Sequence, residues 1–305
     1  MHLVRYLAPG GHDPLVGVLT DGFVLPVTGT ASMAELLGCH AGELRERVSA
    51  AAAGGGGTPV DDVLLLPPLD GRAEVWCSGV TYERSRGARV EETSERSVYD
   101  KVYDAQRPEL FVKAPAWRVV TDGEPIGIRE DSGHDVPEPE LALVLTAHGE
   151  IVGYTVCNDV SSRSIEGENP LYIPQAKVFS GGCAVAAGIR PAWEVPDAGN
   201  LEIRVDVVRA GEVVFEGTTS TSLLHRTLDG LARTLFSAND FPDGVLLATG
   251  TGIVPELDFT LQDGDRVDID IADVGRLSNR VTVGRAPLAW LVDAHTDPAI
   301  RQEVR

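Results

Sequence analysis

The chain has 305 residues, 43% of them apolar, with 46 acidic against 26 basic side chains and a formal charge of −20. That length predicts about two domains with ample core, and the acidic residues, spread along the whole sequence, repel phosphate backbones and anionic lipid, which excludes nucleic acid and membrane surfaces as partners. Met1 leads quickly into Pro9-Gly10-Gly11 and no run approaches the roughly 18 apolar residues of a membrane span, so a soluble, cytoplasmic protein is expected.

Residues 3–28 read as short strands and turns, with Thr20-Asp21-Gly22 between two apolar runs. Ser32 and Glu35 then form a capping box for one helix whose stripe is Leu36, Leu37, Leu44 and Val48, and the run Gly54 to Gly57 ends it. A boundary near Pro67-Pro68 separates a small N-terminal α/β domain, 1–68, from a larger domain, 69–305. From Ala73 the pattern is mostly β, in an α+β fold: short strand-like runs fall at 75–79, 110–113, 141–147, 151–157, 201–208, 213–215, 244–248, 267–271 and 279–283. One helix, about 223–237, interrupts them. No period repeats, which disfavours propellers and solenoids. Two polar stretches without strand patterning, 81–103 and 161–170, have the composition of lids or binding loops, with solvated surface loops as the plainer alternative.

The runs 141–147 and 151–157 predict a hairpin with a two-residue turn at His148-Gly149, in which opposite residues sum to 297. Glu138 then faces Asp159, and Glu140 points to the same side because side chains alternate along a strand. Three converging carboxylates repel one another, titrate upward and ask for a cation. Oxygen-only ligands suit a hard ion, magnesium or manganese rather than zinc. Glu-x-Glu alone would favour two solvated glutamates at a hairpin mouth; the partner at the matching register, on an otherwise apolar strand, argues for the metal.

Lys177 is flanked by apolar residues in Pro174-Gln175-Ala176-Lys177-Val178-Phe179, which fits either a charge-pairing, electrophilic role or a stem that snorkels to solvent. Glu109 opens the apolar run after Arg107-Pro108, where desolvation suits a general base, although a surface position at a strand end has the same pattern. Thr249-Gly250-Thr251-Gly252 follows a strand and reads as an anion cradle or a tight turn. The seven histidines form no spaced ligand pair, and His134 near the acidic pair is a supporting neighbour or a surface residue. Cys39, Cys77, Cys157 and Cys183 show no Cys-x-x-Cys spacing and are expected to be free core thiols in a reducing compartment.

Glu138-Pro139-Glu140-Leu141, the segment from Gly153 through Asn158-Asp159-Val160-Ser161-Ser162-Arg163, Lys177 and Thr249-Gly250-Thr251 together resemble the signature of the fumarylacetoacetate hydrolase superfamily, in order over 73–285. The resemblance implies a mixed β-sandwich roll, fumarylacetoacetase C-terminal-like, that is usually dimeric, with magnesium on Glu138, Glu140 and Asp159. The lid departs from the superfamily's hydrolases and decarboxylases, because Ser85 stands near where their histidine would be. The segments 79–86, 99–103, 107–109 and 165–172 instead resemble the 2-keto-3-deoxy-D-arabinonate dehydratase branch. In that branch Glu109 and Lys177 correspond to proton-handling and substrate-holding groups.

The implied activity is that of a carbon–oxygen lyase. A magnesium-dependent dehydratase acts on a 2-keto-3-deoxy sugar acid of the 2-dehydro-3-deoxy-D-arabinonate type through a metal-stabilised enolate and gives 2,5-dioxopentanoate. Tyr82, Arg84, Ser85 and Arg86 are expected to bind the polyol or carboxylate end, with Lys177 and Thr251 also on the substrate. The alternative is a C–C bond hydrolase or decarboxylase acting on acylpyruvates or oxaloacetate. The expected partners are the small 2-keto acid and a second copy of the chain, in a homodimer or higher homo-oligomer.

Overall fold

The computed structural model describes residues 1–92 and 101–305, without the side chains of 88–92. Tyr99 and Asp100 of the polar stretch therefore lie outside the described residues. The first strands are β1 (His2–Leu7), β2 (Leu15–Thr20) and β3 (Phe23–Pro26), followed by helices α1 (Met33–Leu37) and α2 (Ala41–Ala52) and by β4 (Thr58–Pro59) and β5 (Leu64–Leu66). Asp21 and Gly22 both take positive φ, 49° and 81°, in the tight turn joining β2 to β3. Ser32 accepts from Glu35 N at 3.0 Å while Glu35 reaches back to Ala31 N at 2.8 Å. The single helix expected here is two, because the chain turns at Gly38 to His40, and both pieces keep the apolar stripe buried.

Two large sheets pack face to face. The first contains β1 to β7, excluding none, together with β10 (Pro139–Leu145), β11 (Ile151–Asp159), β13 (Cys183–Val185), β14 (Gly188–Pro191) and β17 (Val245–Ala248); within it β6 (Glu74–Gly79) pairs with β7 (Glu109–Pro115). The second has the order β16 (Glu212–Ser220), β15 (Glu202–Arg209), β18 (Arg266–Ile271), β19 (Gly275–Val283), β8 (Ile126–Ile128). Both are mixed, since β17 runs parallel to β6 and β19 parallel to β8. A short pair, β9 (Asp135–Val136) with β12 (Ser161–Ser162), completes the set of strands.

Leu141, Leu143 and Leu145 of β10 share one core with Ile203, Val205 and Val207 of β15. Ala142 and Val144 face the other way, into a core with Leu36, Leu37, Leu44 and Val48 of the N-terminal helices. β10 is covered on both faces, which explains its unbroken apolar sequence. Glu138 and Glu140 share the parity of Ala142 and Val144, so they emerge on the helix-covered side of the first sheet.

The hairpin keeps the expected register where it matters and differs at its tip. Residues from Pro139↔Asn158 to Val144↔Gly153 pair with the sum 297, then the register shifts so that Leu145 faces Ile151. The loop is three residues, Ala147 to Gly149, closed by Thr146 N donating to Glu150 O at 3.0 Å. The two-residue turn is therefore corrected. Val152 is the extra residue of a bulge that absorbs the longer loop and restores the pairing beyond it.

The lid segment carries α3 (Glu83–Glu92); α4 (Arg163–Glu168) and α5 (Ile173–Lys177) follow β12, and α6 (Leu228–Leu235) and α7 (Trp290–Ala294) lie further along the chain. All four cysteines are free; three are buried, whereas Cys39 is half-buried rather than core. Among the described residues no helix is long and apolar enough to cross a membrane.

Candidate active site

Glu138, Glu140 and Asp159 come together. Asp159 N donates to Glu138 O at 3.0 Å, extending the hairpin ladder by one step, and one oxygen from each of the three carboxylates lies within 4.8 Å of the others. All three side chains are buried. Burial first, then the charges of Asp159 and Glu138, push the Glu140 carboxyl well above the usual range, against the Lys177 ammonium and the Gly250 N–H. That N–H donates to Glu140 Oε2 at 2.7 Å, so the turn after β17 serves a protein carboxylate. Gly250 holds φ at 91°, and a Cβ there would fall 2.0 Å from Thr81 Oγ1.

Lys177, at the end of α5, is buried with its ammonium 2.6 Å from Glu138 Oε2, 3.0 Å from Asp159 Oδ2 and 2.5 Å from Ser161 Oγ. The snorkelling alternative is thereby removed. Arg163, at the start of α4, places Nη2 2.8 Å from Glu138 Oε1 and takes its backbone position from the His134 carbonyl, which accepts its N–H at 2.8 Å. Ser162 caps that helix by accepting from Ile165 N.

Glu109 opens β7, opposite Gly79 on β6. A Cβ at Gly79 would stand 2.0 Å from Glu109 Oε2, so this carboxylate lies against bare backbone. One cavity is lined by Glu109, the three acidic residues, Lys177, Ser85 and Thr251, among others. Ser85 Oγ donates to Tyr82 O at 2.8 Å and accepts from Tyr82 N at 3.2 Å. Val80, between Glu109's neighbour Gly79 and the lid, adopts φ 52°, a strained conformation for a β-branched residue.

Of the other residues expected to meet substrate, Thr251 lines this cavity, and Tyr82, Arg84 and Arg86 lie outside its lining. Tyr82 is buried beside Gly252, and burial, then Glu140, raises its phenol pKa. Arg84 pairs with Glu256 at 2.7 Å. The Arg86 guanidinium lies 5.1 Å from the centroid of the Tyr103 ring. The Thr251 hydroxyl donates to Ile253 O at 3.2 Å.

Sequence reading passed over three residues. Lys113 sends its ammonium to Asp159 Oδ1 at 2.5 Å, Lys177 O at 2.6 Å and Val160 O at 2.8 Å. A register shift leaves Lys113 without a ladder partner, since Val75 faces Ala114 and Trp76 faces Val112. Alternation along Glu109, Phe111 and Lys113 was the available signal. Arg163 and Glu166, which line the cavity, fell in a polar stretch and in the segments that carry the family resemblance, and neither was given a role of its own.

Among the described residues the site gathers five carboxyl groups (Glu109, Glu138, Glu140, Asp159 and Glu166) and three cations (Lys113, Lys177 and Arg163), a formal excess of two negative charges when all five are ionised. A divalent ion cancels that excess, and the all-oxygen ligand set suits a hard one. The residues present fit magnesium. Buried carboxylates on adjoining strands, ringed by amines and facing one further glutamate, define a metal-dependent acid–base enzyme built on a mixed β-roll.

The chain belongs to the fumarylacetoacetate hydrolase family: the model described as "Fumarylacetoacetate (FAA) hydrolase C-terminal" matches residues 74–282. A Haloferax volcanii protein named "Probable 2-keto-3-deoxyxylonate dehydratase" is 50% identical over 215 residues, 70% of this chain and 74% of that one. The 2-dehydro-3-deoxy-D-arabinonate dehydratase of Saccharolobus solfataricus is 43% identical over 222 residues, 72% and 74% of the two chains. A solved structure of 2-keto-3-deoxy-D-arabinonate dehydratase complexed with magnesium and 2,5-dioxopentanoate superposes with a TM-score of 0.78 at 35% identity, covering 93% of this chain and 99% of that one.

Proposed function

We propose that this protein is a magnesium-dependent dehydratase of a 2-keto-3-deoxy sugar acid, a carbon–oxygen lyase giving 2,5-dioxopentanoate from a pentonate. The observation that carries this reading is Glu109 on the wall of the cavity that also holds Glu138, Glu140 and Asp159. Relatives at 43 and 50% identity are named for this reaction class.

Glu138, Glu140 and Asp159 would hold magnesium, with manganese as a substitute. Once bound, the ion supplies Lewis-acid polarisation of the substrate's carboxylate and 2-keto oxygens. Glu109 takes a proton from C3, which the neighbouring keto group acidifies. The C4 hydroxyl departs as water, transfer of a proton from C5 to C3 turns the resulting enone into the C4–C5 enol, and passage of the enol's hydroxyl proton to C4 gives the C5 aldehyde. Lys177, held by Glu138 and Asp159, offers positive charge beside the keto acid. Ser85 and Thr251 on the wall, and Tyr82, Arg84 and Arg86 around the start of the lid helix, are the groups we assign to the rest of the substrate.

The test is to incubate the protein and magnesium with 2-keto-3-deoxy acids, acylpyruvates and oxaloacetate and to weigh the products. Loss of one water with every carbon retained supports the dehydratase. Two carbon fragments, or release of carbon dioxide, would establish the hydrolase or decarboxylase instead.

The chain is further proposed to act as a homodimer in the cytoplasm. Leu171, Leu223 and Leu257, exposed at 82, 63 and 62%, support association, and the free thiols support a reducing compartment. Light scattering after gel filtration tests the first. Residues 1–68 are taken as an accessory domain, because the residues lining the site cavity all fall within 69–305.

A further inference from the structure

Beside the lid, a cavity of about 620 Å³ is lined by Arg107, Arg226, Arg233 and His225 together with one face of α6. Acidic side chains outnumber basic ones by 20 in this chain, and most described arginines sit on a carboxylate, as Arg47 does on Glu43, Arg72 on Asp243 and Arg209 on Asp265. Among the described residues Arg107, Arg226 and Arg233 have no carboxylate partner. Three guanidiniums without counterions around one cavity, in a protein rich in spare acids, form a local reversal of the field. The adjoining hydroxyls are engaged elsewhere: Thr234 Oγ1 donates to Gly230 O at 2.9 Å and Ser237 Oγ to Thr234 O at 2.7 Å. Asp104 approaches His225 Nε2 at 3.4 Å from the lid side.

The same residues grip the lid. Arg226 Nη2 donates to Val102 O and Tyr103 O, both at 2.9 Å. His225 stacks on Tyr103 with centroids 4.2 Å apart, and its backbone N–H donates to Thr81 O at 2.9 Å. Thr81 and Tyr103 thus bracket the two arms that lead to Ser85 and to Glu109.

We propose that this cavity binds a small oxyanion, a carboxylate or phosphate group, on Arg107, Arg226 and Arg233, and that its occupant steadies the 101–109 arm. Guanidiniums match both groups through paired charge-assisted hydrogen bonds. Arg226 connects the ligand to the arm because it already donates to two carbonyls there. This inference stands on the cavity and holds whatever reaction the acidic site performs.

The experiment is calorimetry on the full chain at constant ionic strength, with inorganic phosphate in one arm and citrate in the other. Saturable binding of either supports the site, and which of the two binds tells phosphate from carboxylate. Arg107→Gln and Arg233→Gln should each weaken it about tenfold or more. No saturable binding of either anion, or unchanged affinity in both variants, overturns the proposal. Hydrogen exchange at 101–109 should slow several-fold on binding in the unmodified protein; unchanged exchange at saturation overturns the link to the lid.

Discussion

Lys113 and Asp159 meet at 2.5 Å, with side chains 0 and 1% exposed. This buried ion pair anchors one carboxylate of the acidic trio from the strand that also bears Glu109. Removing Lys113 takes one of the two ammonium groups that Asp159 meets and leaves Lys177 at 3.0 Å, so the cost should fall below the roughly 3–5 kcal/mol of a fully unpaired buried charge. Lys113→Met should therefore lower the unfolding free energy of the magnesium-free protein, measured by urea denaturation, by about 1–3 kcal/mol, and an unchanged value would show that Asp159 does not depend on the amine.

Glu109 and the metal ligands should separate in mutation. Glu109→Gln keeps the shape of the cavity wall and removes the proposed base, so turnover should fall by about 10²–10⁴-fold while magnesium affinity measured by calorimetry stays put. Normal turnover in this variant would remove Glu109 from proton transfer.

Gly79→Ala probes the same carboxylate indirectly. The added methyl group intrudes on the Glu109 carboxylate at the far end of a flexible side chain, so the fold should persist while the proposed base is displaced. Turnover should drop about 10²-fold, the scale expected of a misplaced catalytic group, with the melting temperature nearly unchanged. Full activity would mean that Glu109 tolerates the shift.

Glu140→Gln deletes one of the three proposed ligands and relieves the repulsion that raises Glu140. Magnesium affinity should fall by more than the ~10–100-fold typical of losing an outer-shell partner, while the metal-free protein gains stability. Calorimetry and denaturation report the two effects, and unaltered affinity would refute the ligand assignment.

Asp135 offers a pH dependence away from the ligands. Burial raises its pKa from 3.8 to about 6, against hydrogen bonds from Ser132 and Arg129. The folded state holds this proton more tightly than the unfolded chain, so stability from this group is fully present below about pH 4 and declines as pH rises to about 6. The loss is up to about 3 kcal/mol. Asp135→Asn should flatten that window and be the more stable form at pH 7; a parallel stability profile would contradict it.

Much of the site was legible because hairpin geometry is local. Period-two alternation and a register sum of 297 were enough to bring Glu138 opposite Asp159 and Glu140 to the same face, and even the misjudged turn did no harm because the bulge at Val152 restored the pairing. The break between the two N-terminal helices was less visible, since both pieces bury one continuous stripe.

By itself, the sequence determined the β-rich class and the convergence of Glu138, Glu140 and Asp159, which suits a hard cation, all consequences of residue type and short-range periodicity. Only the tertiary structure decided which charges answer one another across distant segments. Lys113 reaches Asp159 across 46 positions and Lys177 reaches Glu138 across 39, and the buried pairing that makes these amines tolerable arises when separate strands and helices close over the same low-dielectric space.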